Sequence, residues 1–109
     1  MGIDRELYFF YGVELSESKV DDYINLKYSH LNDVDRYINL SENVNGFFIL
    51  NTMSGTKYFL APFQPEPREE DKVYKLDALT VEQTDFIKSL MKEFNVADEI
   101  KPICIINNY

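Results

Sequence analysis

The chain has 109 residues, 45% of them hydrophobic and 15% aromatic, which is enough apolar surface for one domain to fold without a disulfide or a metal. Its 19 acidic and 11 basic residues give a net charge of −8, which argues against direct binding to DNA, RNA or an anionic membrane. One cysteine excludes an intrachain disulfide and fits a reducing compartment, and no leader of basic residues followed by an apolar run opens the chain. Glu6 stands where a myristoylation motif wants Ser or Thr, and no apolar run is long enough to span a bilayer.

Leu7 to Leu15 places Leu7, Phe9, Tyr11, Val13 and Leu15 on one face at period two, with Tyr8 and Phe10 on the other. That pattern predicts an interior strand covered on both sides. Ser16 and Ser18 are candidate N-caps, and Val20, Tyr23, Ile24 and Tyr28 follow at helical spacing, predicting a helix over 18–29. Across 30–45, Leu31, Val34 and Ile38 fit a helix to about Asn39, while Tyr37 to Leu40 fits a short strand as well. Asn45-Gly46 reads as a turn. Phe47–Leu50 and Lys57–Leu60 read as strands joined by a loop in which Gly55 is free to take positive φ. Pro62 should end the second of these strands.

Gln64 to Lys72 holds Pro65, Glu66, Pro67, Glu69, Glu70 and Asp71, an exposed acidic loop, and Val73–Leu76 offers one more short strand. Thr80-Val-Glu-Gln83 is a capping box that opens an amphipathic helix carrying Phe86, Ile87, Leu90, Met91 and Phe94, with Asn95 as its stop. Lys101–Ile106 closes the series as a β-branched strand around Cys104, whose isoleucine neighbours predict a buried, unreactive thiol. The order β-α-β-β-α-β predicts a single α+β domain over 1–109, of the split βαβ or ferredoxin-like kind. The sheet is antiparallel or mixed and the helices lie on one face. A different strand order with the same helices is the alternative.

No catalytic set emerges. His30 is the only histidine, and its neighbours Asp33 and Asp35 are no more than nearby loop acids. Asn32-Asp33-Val34-Asp35 begins like an oxygen-ligand loop, but Arg36 and Tyr37 break the pattern. Phosphate-cradling glycine patterns and a nucleophile elbow are absent, so no cofactor or metal is expected. The acids carry the sharper idea: Glu66, Glu69, Glu70 and Asp71 can present carboxylates where a basic protein expects phosphates. The bland reading is a solvated charge run.

Three short motifs carry a resemblance. Tyr11-Gly12-Val13 follows an aromatic N-terminal stretch, Met53-Ser54-Gly55 precedes Tyr58 in the central hairpin, and Pro102 leads an apolar strand ending in Asn107-Asn108-Tyr109. Together they resemble small accessory proteins of tailed bacteriophages. That group brings no catalytic residues. It implies a bacterial host cytoplasm and a protein that binds and disables host machinery, including defence nucleases. The expectation is therefore a non-enzymatic inhibitor of a basic host protein, acting by acidic mimicry or occlusion. A small-ligand or nucleotide-sequestering protein, or a structural or assembly component, stays open beside it.

Overall fold

A computed structural model of the chain describes residues 5–27, 36–52, 55–67 and 77–108. In chain order it contains β1 (Arg5–Leu15), α1 (Glu17–Lys27), α2 (Arg36–Asn43), β2 (Phe47–Thr52), β3 (Gly55–Leu60), α3 (Val81–Glu93) and β4 (Lys101–Asn108). The strands form one sheet in the order β2-β3-β1-β4, with every pairing antiparallel. The expected α+β class is what the chain adopts, and the strand order is that of the split βαβ arrangement with one extra helix, α2.

β1 is central because both of its faces are apolar. Its odd positions Val13 and Leu15 join Tyr58, Leu60 and Phe47 beneath the helices, where Val20, Tyr23, Ile24, Leu40, Ile87, Leu90 and Phe94 close the main core. Its even position Phe10 joins Phe59, Ala61 and Ile103 on the opposite side of the sheet, where Phe10 and Phe59 meet edge to face at 5.2 Å. A column of parallel rings runs through the main core. Tyr23 stacks on Phe94 at 4.0 Å, Phe94 on Phe47 at 5.7 Å, Phe47 on Tyr58 at 6.1 Å and Tyr58 on Tyr37 at 5.4 Å. The column thereby ties α1, α3, β2, β3 and α2 to one another.

The helix ends follow their caps. Ser16 Oγ accepts from the Lys19 backbone N–H, so of the two candidate caps Ser16 is the one used and α1 starts at Glu17, one residue before the expected 18. The Thr80 capping box forms in full: Gln83 N–H donates to Thr80 Oγ1 at 3.1 Å, and the Thr80 N–H donates to Gln83 Oε1 at 2.9 Å. At the other end Asn95 takes φ 55°, its N–H bonds the Lys92 carbonyl and the Val96 N–H bonds the Met91 carbonyl. These two bonds are a Schellman closure, in which Asn replaces the usual Gly. Lys19 Nζ donates to the Asn95 carbonyl at 2.9 Å and joins the end of α3 to the start of α1.

Two expectations need correction. Helix α2 runs to Asn43, beyond Asn39, and Tyr37–Leu40 is helical because Leu40 and Val44 seal the core from that side. Cys104 is exposed, not buried. Alternation sets this: Ile103 faces Phe10 on the second core, which turns Cys104 to the other side, opposite Phe9. Because β4 is the edge strand and lies outside the helical cover, that side is open. The proposed strand Val73–Leu76 lies outside the described residues, as do Met53 and Ser54 of the central hairpin.

Candidate functional site

The sheet changes partners at Gly12. Arg5–Gly12 of β1 pair with β4, whereas only Val13–Leu15 pair with β3. A Cβ on Gly12 would lie 2.5 Å from the Leu60 carbonyl oxygen, so only glycine lets β3 come this close. One residue past Ala61, Pro62 lacks the N–H needed to continue the ladder, and the chain leaves β1.

The divergence opens a cleft of about 430 Å³ beside Phe9–Tyr11. Phe63, Pro65 and Leu79 complete its apolar lining, and Glu66 and Asp77 add two carboxylates. Phe63 is 60% exposed, an unusual position for a phenylalanine, while Pro65 is buried and holds the loop against the sheet. None of the described residues lining this cleft is basic. The site thus sets the exposed ring of Phe63 beside two carboxylates, an arrangement suited to a cationic side chain that packs its stem on the ring and its head on the carboxylates.

Of the acids singled out in the sequence, Glu66 is exposed at this cleft. Glu69, Glu70 and Asp71 lie outside the described residues. His30, Asn32, Asp33 and Asp35 also lie outside them. Phe63, Asp77 and the rings of β1 were not legible as a site, because nothing in the sequence places residues so far apart in the chain side by side. The one available signal was an apolar Phe63 between Pro62 and Pro65 in an otherwise polar loop.

A second polar cluster joins α1 to α2. Arg36 Nη2 lies 2.8 Å from Asp21 Oδ1, and the Tyr37 hydroxyl donates to the same carboxylate. Burial, then the Asp21 hydrogen bond, holds the Tyr37 phenol above its ordinary pKa, with Arg36 pulling the other way. Tyr58 is also raised, by burial and by the negative charges of Glu17 and Asp21. Both phenols therefore stay protonated at neutral pH, and the cluster is a helix-to-helix clamp with no activated nucleophile. A raised phenol pKa adds stability that is full below the unfolded value of 10.0 and is lost as pH rises through the folded value. The thermal midpoint should fall above about pH 10. Tyr37→Phe should cost about 1 kcal/mol at neutral pH and blunt that alkaline fall, as thermal melts across pH will show.

Among the described residues, no group of three or more His, Cys, Asp or Glu is placed to hold a metal ion, and no helix is long and apolar enough to cross a membrane. Comparison with protein-family models, with curated proteins and with solved structures gives no significant match.

Proposed function

We propose that this protein is a non-enzymatic, phage-encoded inhibitor that binds a basic host protein in the bacterial cytoplasm and disables it by occupying its surface. The observation that carries the reading is the cleft at Phe9–Tyr11, where exposed Phe63 sits beside the carboxylates of Glu66 and Asp77. The net charge of −8 steers a basic partner toward this surface, and a few buried rings supply the affinity. Glu66 stands at the cleft, and Glu69, Glu70 and Asp71 follow it in the sequence as a run of the same charge. Aromatic rings on the free face of a four-stranded sheet are also how some modules read single-stranded RNA. That reading is disfavoured here, since Phe59 is 0% and Phe10 5% exposed and the chain is strongly acidic.

The test is affinity capture from a bacterial lysate with two baits, the parent and a variant in which Glu66, Glu69, Glu70 and Asp71 are all Ser. The parent should retain a basic protein that the variant retains poorly, with the variant's fold unchanged by circular dichroism. A small molecule co-purifying in place of a protein would replace this reading with ligand sequestration.

A further inference from the structure

The outer edge of β4 has no partner strand among the described residues. Natural edges are usually blunted by charge, bulges or proline; Lys101 and Pro102 stand at the start of β4, but Ile103-Cys104-Ile105-Ile106 beyond them carries neither, and Ile106 is 53% exposed. Among the described residues, Arg5–Gly12 pair with β4 alone. The opposite edge, β2, differs: its apolar residues are at least half-buried, and Ser41, Gln64 and Pro65 border Phe47–Leu50.

Pro102 fixes which backbone groups face outward. It has no N–H to give β1, so the Tyr11–Pro102 pair is one of the non-hydrogen-bonded pairs of the ladder. By alternation, Cys104 and Ile106 also turn their N–H and C=O groups away from β1, as does the backbone of Asn108. We propose that these groups pair with those of a second copy, giving a two-fold dimer in which two β4 strands run antiparallel and the sheets join. With Ile105 opposite its own copy, Cys104 and Ile106 exchange both hydrogen bonds with each other's copies. The Asn108 N–H then meets the Pro102 carbonyl, the one outward group that proline keeps. This register uses every outward donor. Centring the pair on Cys104 instead would leave the Asn108 donor unused. The occupant is a second copy because the strand is complementary to itself in this register: at its centre Cys104 stands opposite Ile106 and Ile105 opposite its own copy, at its ends Ile103 and Pro102 stand opposite Asn107 and Asn108, and no acidic side chain lies within β4 to repel its twin. The dimer is independent of the proposed inhibitory role.

The mass in solution, measured by sedimentation equilibrium over a concentration series, tests this. The parent should approach twice 12.8 kDa, and added salt should favour the dimer, because two chains of charge −8 repel. Cys104→Pro removes an outward N–H but none given to β1, so it should stay folded and become monomeric. Ile106→Lys, at an exposed site, should do the same without altering the backbone. In a Cys104→Ser background, Ile105→Cys should form an intermolecular disulfide on mild oxidation. The expected Cα separation of about 4.5 Å across such a pair lies within the bridging range. A parent that keeps the single-chain mass at every concentration and salt overturns the proposal. So does a dimer that survives both Cys104→Pro and Ile106→Lys, since its interface then lies elsewhere.

Discussion

Phe47→Ala should lower the unfolding free energy by about 3–5 kcal/mol, a large part of the roughly 5–15 kcal/mol that holds a domain of this kind together. Phe47 is fully buried and stands in the ring column between Phe94, 5.7 Å away, and Tyr58, 6.1 Å away. Truncation removes transfer energy and leaves a cavity bounded by the rings of Phe94 and Tyr58, at the end of α3 and on β3. Those rings cannot both collapse into the gap. The neighbouring Phe48 is the internal comparison. It points to the other side of the sheet and is half-buried, so Phe48→Ala should cost clearly less. Urea titration should show a lower midpoint at unchanged slope for Phe47→Ala. Equal losses for the two variants would mean that the helical face is not the dominant core.

Gly46→Ala is the second large effect, at about 2–5 kcal/mol from backbone strain and overpacking together. Gly46 has φ +91°, a region that side chains rarely adopt. An added Cβ would also lie 2.5 Å from Leu90 Cδ1 and 2.8 Å from Phe86 Cε1. Both contacts are on α3, so the helix must shift away from the start of β2. The Gly46 carbonyl accepts the Ala61 N–H at 2.9 Å, which ties the same turn to the end of β3. Gly55 separates strain from packing. Its φ is +128°, but nothing lies within 4 Å of its Cβ position. Gly55→Ala should therefore show the backbone cost alone, and a Gly46→Ala loss no larger than that of Gly55→Ala would contradict this docking of α3.

Features set by local chemistry were legible in the chain. The Thr80 capping box, the Asn95 stop and the Asn45-Gly46 turn each act over a few residues, and each formed as its residues required. The α+β class followed from period and order. What could not be read were consequences of strand neighbours. Cys104 looked buried because isoleucines flank it, but only the edge position of β4 decides that one side of the strand is open. The ring column draws Tyr23, Tyr37, Phe47, Tyr58 and Phe94 from five elements, and no spacing announces it. The cleft exists because β1 changes partners at Gly12. That exchange follows from the Leu60 carbonyl's close approach and from Pro62, not from any motif.

Association and dissociation rates against ionic strength, measured with a protein retained by the parent, test the proposed inhibitory role most directly. The variants are Glu66→Ser with Asp77→Ser, and Phe63→Ser. The parent's association rate should fall steeply with salt, and the acid double variant should associate more slowly with a flatter dependence. Phe63→Ser should associate nearly as fast as the parent but dissociate roughly 10- to 100-fold faster, as expected when an anchor ring worth about 1–3 kcal/mol is lost. Rates that are flat with salt and equal across the parent and both variants would contradict a charge-steered, ring-anchored interface at this cleft.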